Sequence, residues 1–285
     1  MGNVEPILRL DSLADRLLLV LGGGSTAGTP AGSRPEGRAF EAAIGETWRE
    51  FFELHRPWIE LRRVHVPEDR RAVAIEVTNP SLDAQMYLPI EALPSSNSYP
   101  EVAGRFPASW LQRRFQVSEL LETHLGDRIF EFAPPTSQDS RLYWGTNYPS
   151  LYAGKTTNFD FTIALARRGV LVEKLLFEYK YAKSSGEVSV DGNAHERLSF
   201  QVLEYLEIAP RYTNCSLNVI TSDAFVQYRN KYHPSFHQQA IRLGDAFRAF
   251  TMRIASCRSD YLAMFGMLSN FLRSGHDLPR DYRRP

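Results

Sequence analysis

Two acidic residues and a lysine stand at a spacing suited to phosphodiester chemistry. Glu178 and Lys180 close the apolar run Leu175-Leu176-Phe177-Glu178-Tyr179-Lys180-Tyr181, and Asp160 lies in an earlier apolar segment, Asn158-Phe159-Asp160-Phe161-Thr162-Ile163. Along an extended strand the side chains at i and i+2 share a face, so Glu178 and Lys180 point the same way. With Asp160 at the end of a neighbouring strand, two carboxylates could hold a hard divalent cation beside a fixed positive charge.

The triplet alone says little. Glu178-Tyr179-Lys180 is the one acid-x-lysine triplet in a chain with 33 acidic residues and five lysines, about what chance gives, and a solvent-facing edge strand would carry the same letters. Its setting says more. A nearly continuous apolar strand is expected to be buried on both faces, where charged side chains require partners. The basic residues are 28 Arg against five Lys, an excess that coding bias explains. Yet Lys155, Lys174, Lys180 and Lys183 gather around the triplet, and only Lys231 falls elsewhere. Arginine is a planar fork and lysine a compact point charge, so a lysine kept among arginines points to chemistry.

The elements that must position these residues follow from periodicity and breakers. Residues 7–21 read as a short amphipathic helix, and Gly22 to Gly37 as a loop. That loop ends in no Gly-Lys-Ser/Thr, which rejects a phosphate-binding loop. Residues 38–55 read as a helix with Phe40, Ile44, Trp48, Phe51 and Phe52 on one broad face. Strand-like patterns fill 58–90, broken at Pro67, Pro80 and Pro89. Residues 93–110 and 134–150 read as loops, with a helix at Val117 to Leu125 and a strand at Arg128 to Phe132 between them. The most regular stretch predicts strands at 158–165 and 170–182 around the turn Arg167-Arg168-Gly169. A crossover helix over about 194–209 and a returning strand at 216–221 complete an α/β core. The remainder is expected to be mainly helical, with Tyr261, Phe265, Leu268 and Leu272 on one stripe.

Asp160, Glu178 and Lys180, on consecutive strands followed by a helix and a further strand, resemble the PD-(D/E)xK nuclease superfamily over roughly residues 156–222. Phe159 stands where that motif often has proline. Gln201 and Tyr205, four apart on the crossover helix, are similar to the Gln-x-x-x-Tyr motif of recombination-type members; by residues alone, a core tyrosine and a boundary glutamine explain them equally well. The resemblance implies a mixed central sheet flanked by helices, with an inserted strand-and-loop region and a helical C-terminal part. As one nuclease domain over 1–285, the parts would be a first core helix at 38–55, a recognition insertion at 58–150, a catalytic core at 156–222 and a helical region at 223–285. It implies Mg²⁺ held by Asp160, Glu178 and the carbonyl of Tyr179, with Lys180 and Gln201 as further catalytic residues. A supporting carboxylate on the first helix makes Glu41 and Glu46 candidates, Glu46 preferred, although a solvated helix face explains each by itself.

Because the catalytic segment sits in one chain without helicase, ATPase or coiled-coil segments, the reading favoured is a type II restriction endonuclease acting on double-stranded DNA. Such an enzyme implies a homodimer on a palindromic site and a cognate DNA methyltransferase in the same system. The alternatives are an exonuclease or repair nuclease of the same superfamily, and a non-catalytic DNA-binding α/β protein. Secondary candidates for DNA contact are His195 and Arg197, Tyr228 to Tyr232, and the pairs Arg62-Arg63, Arg70-Arg71, Arg113-Arg114 and Arg167-Arg168. His233 and His237 have metal-ligand spacing but no evident third ligand.

Composition bounds the rest. The 285 residues balance 33 basic against 33 acidic side chains, which argues against bulk-charge binding to nucleic acid but not against a local groove. No apolar run approaches a membrane span, so no membrane partner is expected. Leu17 to Leu21 is too short for a signal-peptide core. Two cysteines, Cys215 and Cys257, provide no disulfide framework, and a reducing cytoplasm is the default expectation.

Overall fold

The computed structural model describes residues 5–21, 33–66, 69–93, 96–102, 147–149, 156–180, 215–221 and 251–274, together with the helical residues Phe200, Val202 and Tyr205. Three long helices each bury an apolar stripe. In α1 (Glu5–Leu21) the stripe is Leu10, Leu13, Ala14 and Leu17, the i, i+3, i+4, i+7 pattern of an amphipathic helix. In α2 (Ser33–His55) Ile44, Trp48, Phe51 and Phe52 are buried, and in α3 (Arg258–Ser274) so are Tyr261, Phe265, Leu268 and Leu272, as periodicity predicts. Asp260 in the first turn of α3 accepts from Ser256 N at 3.1 Å and Ser256 Oγ at 3.2 Å, which caps that helix and complements its dipole. Helix α2 starts at Ser33, inside the segment expected to be loop. The start Ser33-Arg34-Pro35-Glu36 explains it: proline is tolerated in a first turn, where its missing N–H has no intrahelical partner to lose.

Eight strands form one mixed, mostly antiparallel sheet. They are β1 (Glu60–Val66), β2 (Asp69–Asn79), β3 (Ala84–Pro89), β4 (Glu101–Val102), β7 (Phe161–Arg167), β8 (Val170–Lys180), β9 (Cys215–Thr221) and β10 (Met252–Ala255), in the order β10-β9-β8-β7-β3-β2-β1-β4. β1, β2, β3, β7 and β8 run as an antiparallel series, β9 is parallel to β8 and β10 to β9, and β4 is parallel to β1. The described strands within 58–102 are hydrogen-bonded into the same sheet as β7 and β8. The short strands β5 (Asn147–Pro149) and β6 (Thr156–Asn158) make a separate antiparallel ladder.

The strand expected over 158–165 is two strands, β6 and β7, interrupted at Phe159-Asp160. The interruption places Asp160 at the mouth of β7. The β7–β8 hairpin turns on Arg168 (φ 51°) and Gly169 (φ 70°), positive φ at both central residues as a two-residue type I′ turn requires. The C-terminal region expected to be mainly helical holds α3 and, before it, the short strand β10. Four residues carry too short an alternation to register as a strand, and Arg253 within them is buried. Its guanidinium meets Glu173 at 2.5 and 3.1 Å and Ser216 Oγ at 2.9 Å.

One hydrophobic core joins the three helices to the sheet face carrying Ile75, Val77, Met86, Ile163, Leu175 and Phe177. The other face has a smaller cluster, including Tyr87, Ala164 and Leu171. No helix among the described residues is long and apolar enough to cross a membrane. The predicted helix at 117–125, the strand at 128–132 and most of the crossover at 194–209 lie outside the described residues.

Candidate active site

Asp160, Glu178, Tyr179 and Lys180 meet where β7 and β8 end. The last ladder pair is Phe161 with Phe177, followed by one more backbone bond, Asp160 N to Phe177 O at 3.0 Å. The next inward donor on β8, Tyr179 N, would have no strand opposite it. The Asp160 carboxylate supplies the acceptor instead, with Oδ2 2.6 Å from Tyr179 N. A backbone amide at a strand end needs a partner, and a short acidic side chain is well suited to bridge the gap.

Glu178 points to the face opposite the helices, while its neighbours Phe177 and Tyr179 pack with the helical core. Its side chain is only 4% exposed and forms an ion pair with the Lys180 ammonium, itself 13% exposed. At such burial the pair is little screened, and removing one member leaves the other charge in low dielectric. The structure therefore gathers three elements of the sequence constellation: an exposed aspartate, a buried glutamate and a lysine.

Each of residues 179 and 180 is also held from outside the hairpin. Trp48 Nε1 on α2 donates to Tyr179 Oη at 2.9 Å. Thr221 Oγ1, at the end of β9, donates to the Lys180 carbonyl at 2.7 Å, and the Tyr261 hydroxyl on α3 donates to the Thr221 carbonyl. Sequence reasoning placed Trp48 and Tyr261 on apolar helix stripes and Thr221 at a strand end. Nothing in their spacing signalled these tertiary bonds.

Asp160 and Glu178 provide two carboxylates, the oxygen-donor type that a hard divalent cation takes. Among the described residues no group of three or more His, Cys, Asp or Glu side chains is placed to hold a metal. Magnesium, however, takes one or two carboxylates and fills its remaining positions with water and phosphate oxygens. A carboxylate has roughly four lone-pair sites, so the Asp160 bond to Tyr179 N is compatible with a metal contact.

Other sequence candidates fall elsewhere. Glu46 lies on the exposed side of α2 and pairs with Arg49 at 3.0 Å to its Nε. Because α2 covers the face opposite Glu178, the structure does not bring Glu46 to the triplet. The side chain of Glu41 and residue Gln201 lie outside the described residues. Tyr205 is buried, and its hydroxyl, which has one proton to give, lies within donating distance of both Cys215 O at 3.0 Å and Thr251 O at 2.9 Å while accepting from Thr251 N at 3.0 Å. It thus anchors the opening of β9, while Glu178 aligns with Val219, four residues and about 13 Å further along the strand.

Of the clustered lysines, Lys174 is fully buried beside Cys215 on β9, and burial drives its pKa down to about 7 against a smaller opposing pull from that cysteine. Lys155 and Lys183 lie outside the described residues. Arg62 pairs with Glu60; Arg63 meets Glu101 at 3.1 Å, and its Nε donates to Tyr99 O at 3.1 Å. Arg167 and Arg168 sit at the hairpin turn, at the other end of β7 and β8 from the triplet. The side chains of Arg70 and Arg71, and the candidates at 113–114, 195–197 and 228–237, lie outside the described residues.

No family model matches the chain, and no curated protein or solved structure matches it.

Proposed function

We propose that this protein is a Mg²⁺-dependent endonuclease of double-stranded DNA, of the type II restriction kind. One observation carries the proposal: Asp160 at the mouth of β7 hydrogen-bonds the backbone of β8 between Glu178 and Lys180, which are themselves ion-paired. Two further features support it. β7 and β8 form the antiparallel hairpin, and β9 returns parallel to β8, as the PD-(D/E)xK resemblance implies.

In this reading Asp160 and Glu178 hold the metal, with the Tyr179 carbonyl as an additional oxygen donor. Magnesium, when bound, supplies a Lewis acid for the scissile phosphate. Glu178, buried, fixes the inner side of the site, and Asp160, exposed, faces the solvent from which DNA arrives. Lys180 directs its ammonium toward charge developing on the phosphate oxygens or orients the attacking water. Its present hold on Glu178 keeps the ammonium at the site rather than extended into solvent. Glu46 receives no role, since its side chain stays on the exposed side of α2 with Arg49.

Asp160→Asn, Glu178→Gln and Lys180→Ala should each lower Mg²⁺-dependent cleavage at least about a hundredfold, while DNA affinity measured without metal persists. Wild-type-like cleavage by any two of these variants would contradict the site assignment. Bound but uncleaved DNA with the wild type would favour the non-catalytic DNA-binding alternative.

A further inference from the structure

We infer that Thr221 is a positioning residue for Lys180, acting through the end of β8; the inference rests on the nuclease reading of the site. Along a strand flanked on both sides, successive residues turn their N–H and C=O toward alternate neighbours, and the bonding seen here follows that rule. Phe177 O and Tyr179 N bond toward β7, and Lys180 O bonds toward β9. Lys180 is aligned with Thr221, the last residue of β9. At this rung the donor to Lys180 O is the threonine hydroxyl, at 2.7 Å.

That bond is backed by a second. The Thr221 carbonyl accepts from Tyr261, fully buried in the first turn of α3, and Thr221 is itself 1% exposed. A rigid helix, a buried tyrosine and a buried threonine therefore fix the backbone from which the Lys180 side chain departs. The need for such a clamp follows from chemistry. Lysine has a flexible four-carbon stem, and small misplacements of a charged group at a reacting centre lower rates steeply. Thr221 and Tyr261 are both buried, so water has little access to replace a lost donor at their end of this chain of bonds.

The test compares wild type with Thr221→Val, which removes the hydroxyl at similar shape, and Thr221→Ser, which keeps it. Three readouts are taken on the full chain: single-turnover cleavage of closed-circular DNA with Mg²⁺, DNA affinity without metal, and trace acetylation of Lys180 quantified by mass spectrometry. Thr221→Val should slow cleavage roughly tenfold with unchanged DNA affinity, and raise Lys180 acetylation as the ammonium leaves Glu178. Thr221→Ser should restore both. If Thr221→Val does not fold, Tyr261→Phe replaces it, with the same direction and a smaller effect expected. Unaltered cleavage and acetylation in the folded variant, in a wild type that cleaves, would overturn the positioning role and leave the nuclease reading standing. A wild type that fails to cleave while acetylation still responds to Thr221 would overturn the nuclease reading and retain the clamp on Lys180. Failure of Ser to rescue would assign Thr221 a packing role only.

Discussion

At the scale of single residues, the site depends on placing charges where water screens them little. Glu178 is buried and its partner Lys180 partly so, and Asp160 completes the backbone pairing that β7 cannot supply. Lys174 is a second buried charge on the same face of β8, with a pKa lowered to about 7 by burial. An unfolded lysine titrates near 10.4, so between about pH 7 and pH 10.4 the unfolded chain holds a proton that the folded chain has released. Folding stability from this residue therefore rises with pH across that window, and the penalty is fully present below it. Thr221 and Lys180 aside, this makes Lys174→Met informative: the variant should gain stability over wild type near pH 7, with the gain shrinking toward pH 10. Urea unfolding at several pH values reads the difference. A pH-independent difference would contradict the burial of a titrating amine.

At the scale of elements, what was legible in the sequence is what local chemistry decides. The Arg167-Arg168-Gly169 turn needs positive φ, and Gly169 supplies it at 70°; the helix stripes of α1, α2 and α3 follow from spacing alone. Gly169→Ala should destabilise the hairpin by about 1 kcal/mol through backbone strain, since a Cβ there meets nothing within 4 Å. Thermal unfolding measures it, and no loss of stability would argue against the left-handed turn. Asp160 and Glu178 could be found because two acids and a lysine leave a pattern at strand ends. Trp48, Thr221 and Tyr261 could not, because hydrogen bonds between distant elements leave no spacing behind. The break at Phe159-Asp160 was equally hidden within an uninterrupted apolar pattern. Glu46 shows the converse: its helix was correctly placed, but which side of the sheet that helix covers is a tertiary fact. Between α2 and α3, His55 holds Phe51 O at 2.7 Å and Ser269 Oγ at 2.8 Å. Burial, assisted by the charge of Arg273, lowers its pKa, against the hydrogen bond to Phe51. As pH falls through about 6.5 the unfolded chain takes up a proton that the folded chain resists, so stability falls. His55→Gln should flatten that acid limb in pH-dependent unfolding, and an unchanged limb would contradict the assignment.

At the scale of the whole molecule, the eight strands of the sheet pack one face against α1, α2 and α3, and among the described residues the other face bears Tyr87, Lys174, Glu178 and their neighbours. The charge balance of 33 basic and 33 acidic residues places any DNA recognition in local contacts rather than a general attraction. A protein that reads a palindrome with one hydrolytic site per strand is expected to act as a two-fold dimer. The most direct test of the central claim is digestion of a sequenced, covalently closed phage DNA with and without Mg²⁺, with the ends mapped and Asp160→Asn run in parallel. Discrete fragments sharing one sequence at their ends, formed with Mg²⁺ by wild type and not by Asp160→Asn, are the predicted result. DNA left closed and intact by the wild type in Mg²⁺ would contradict the endonuclease account.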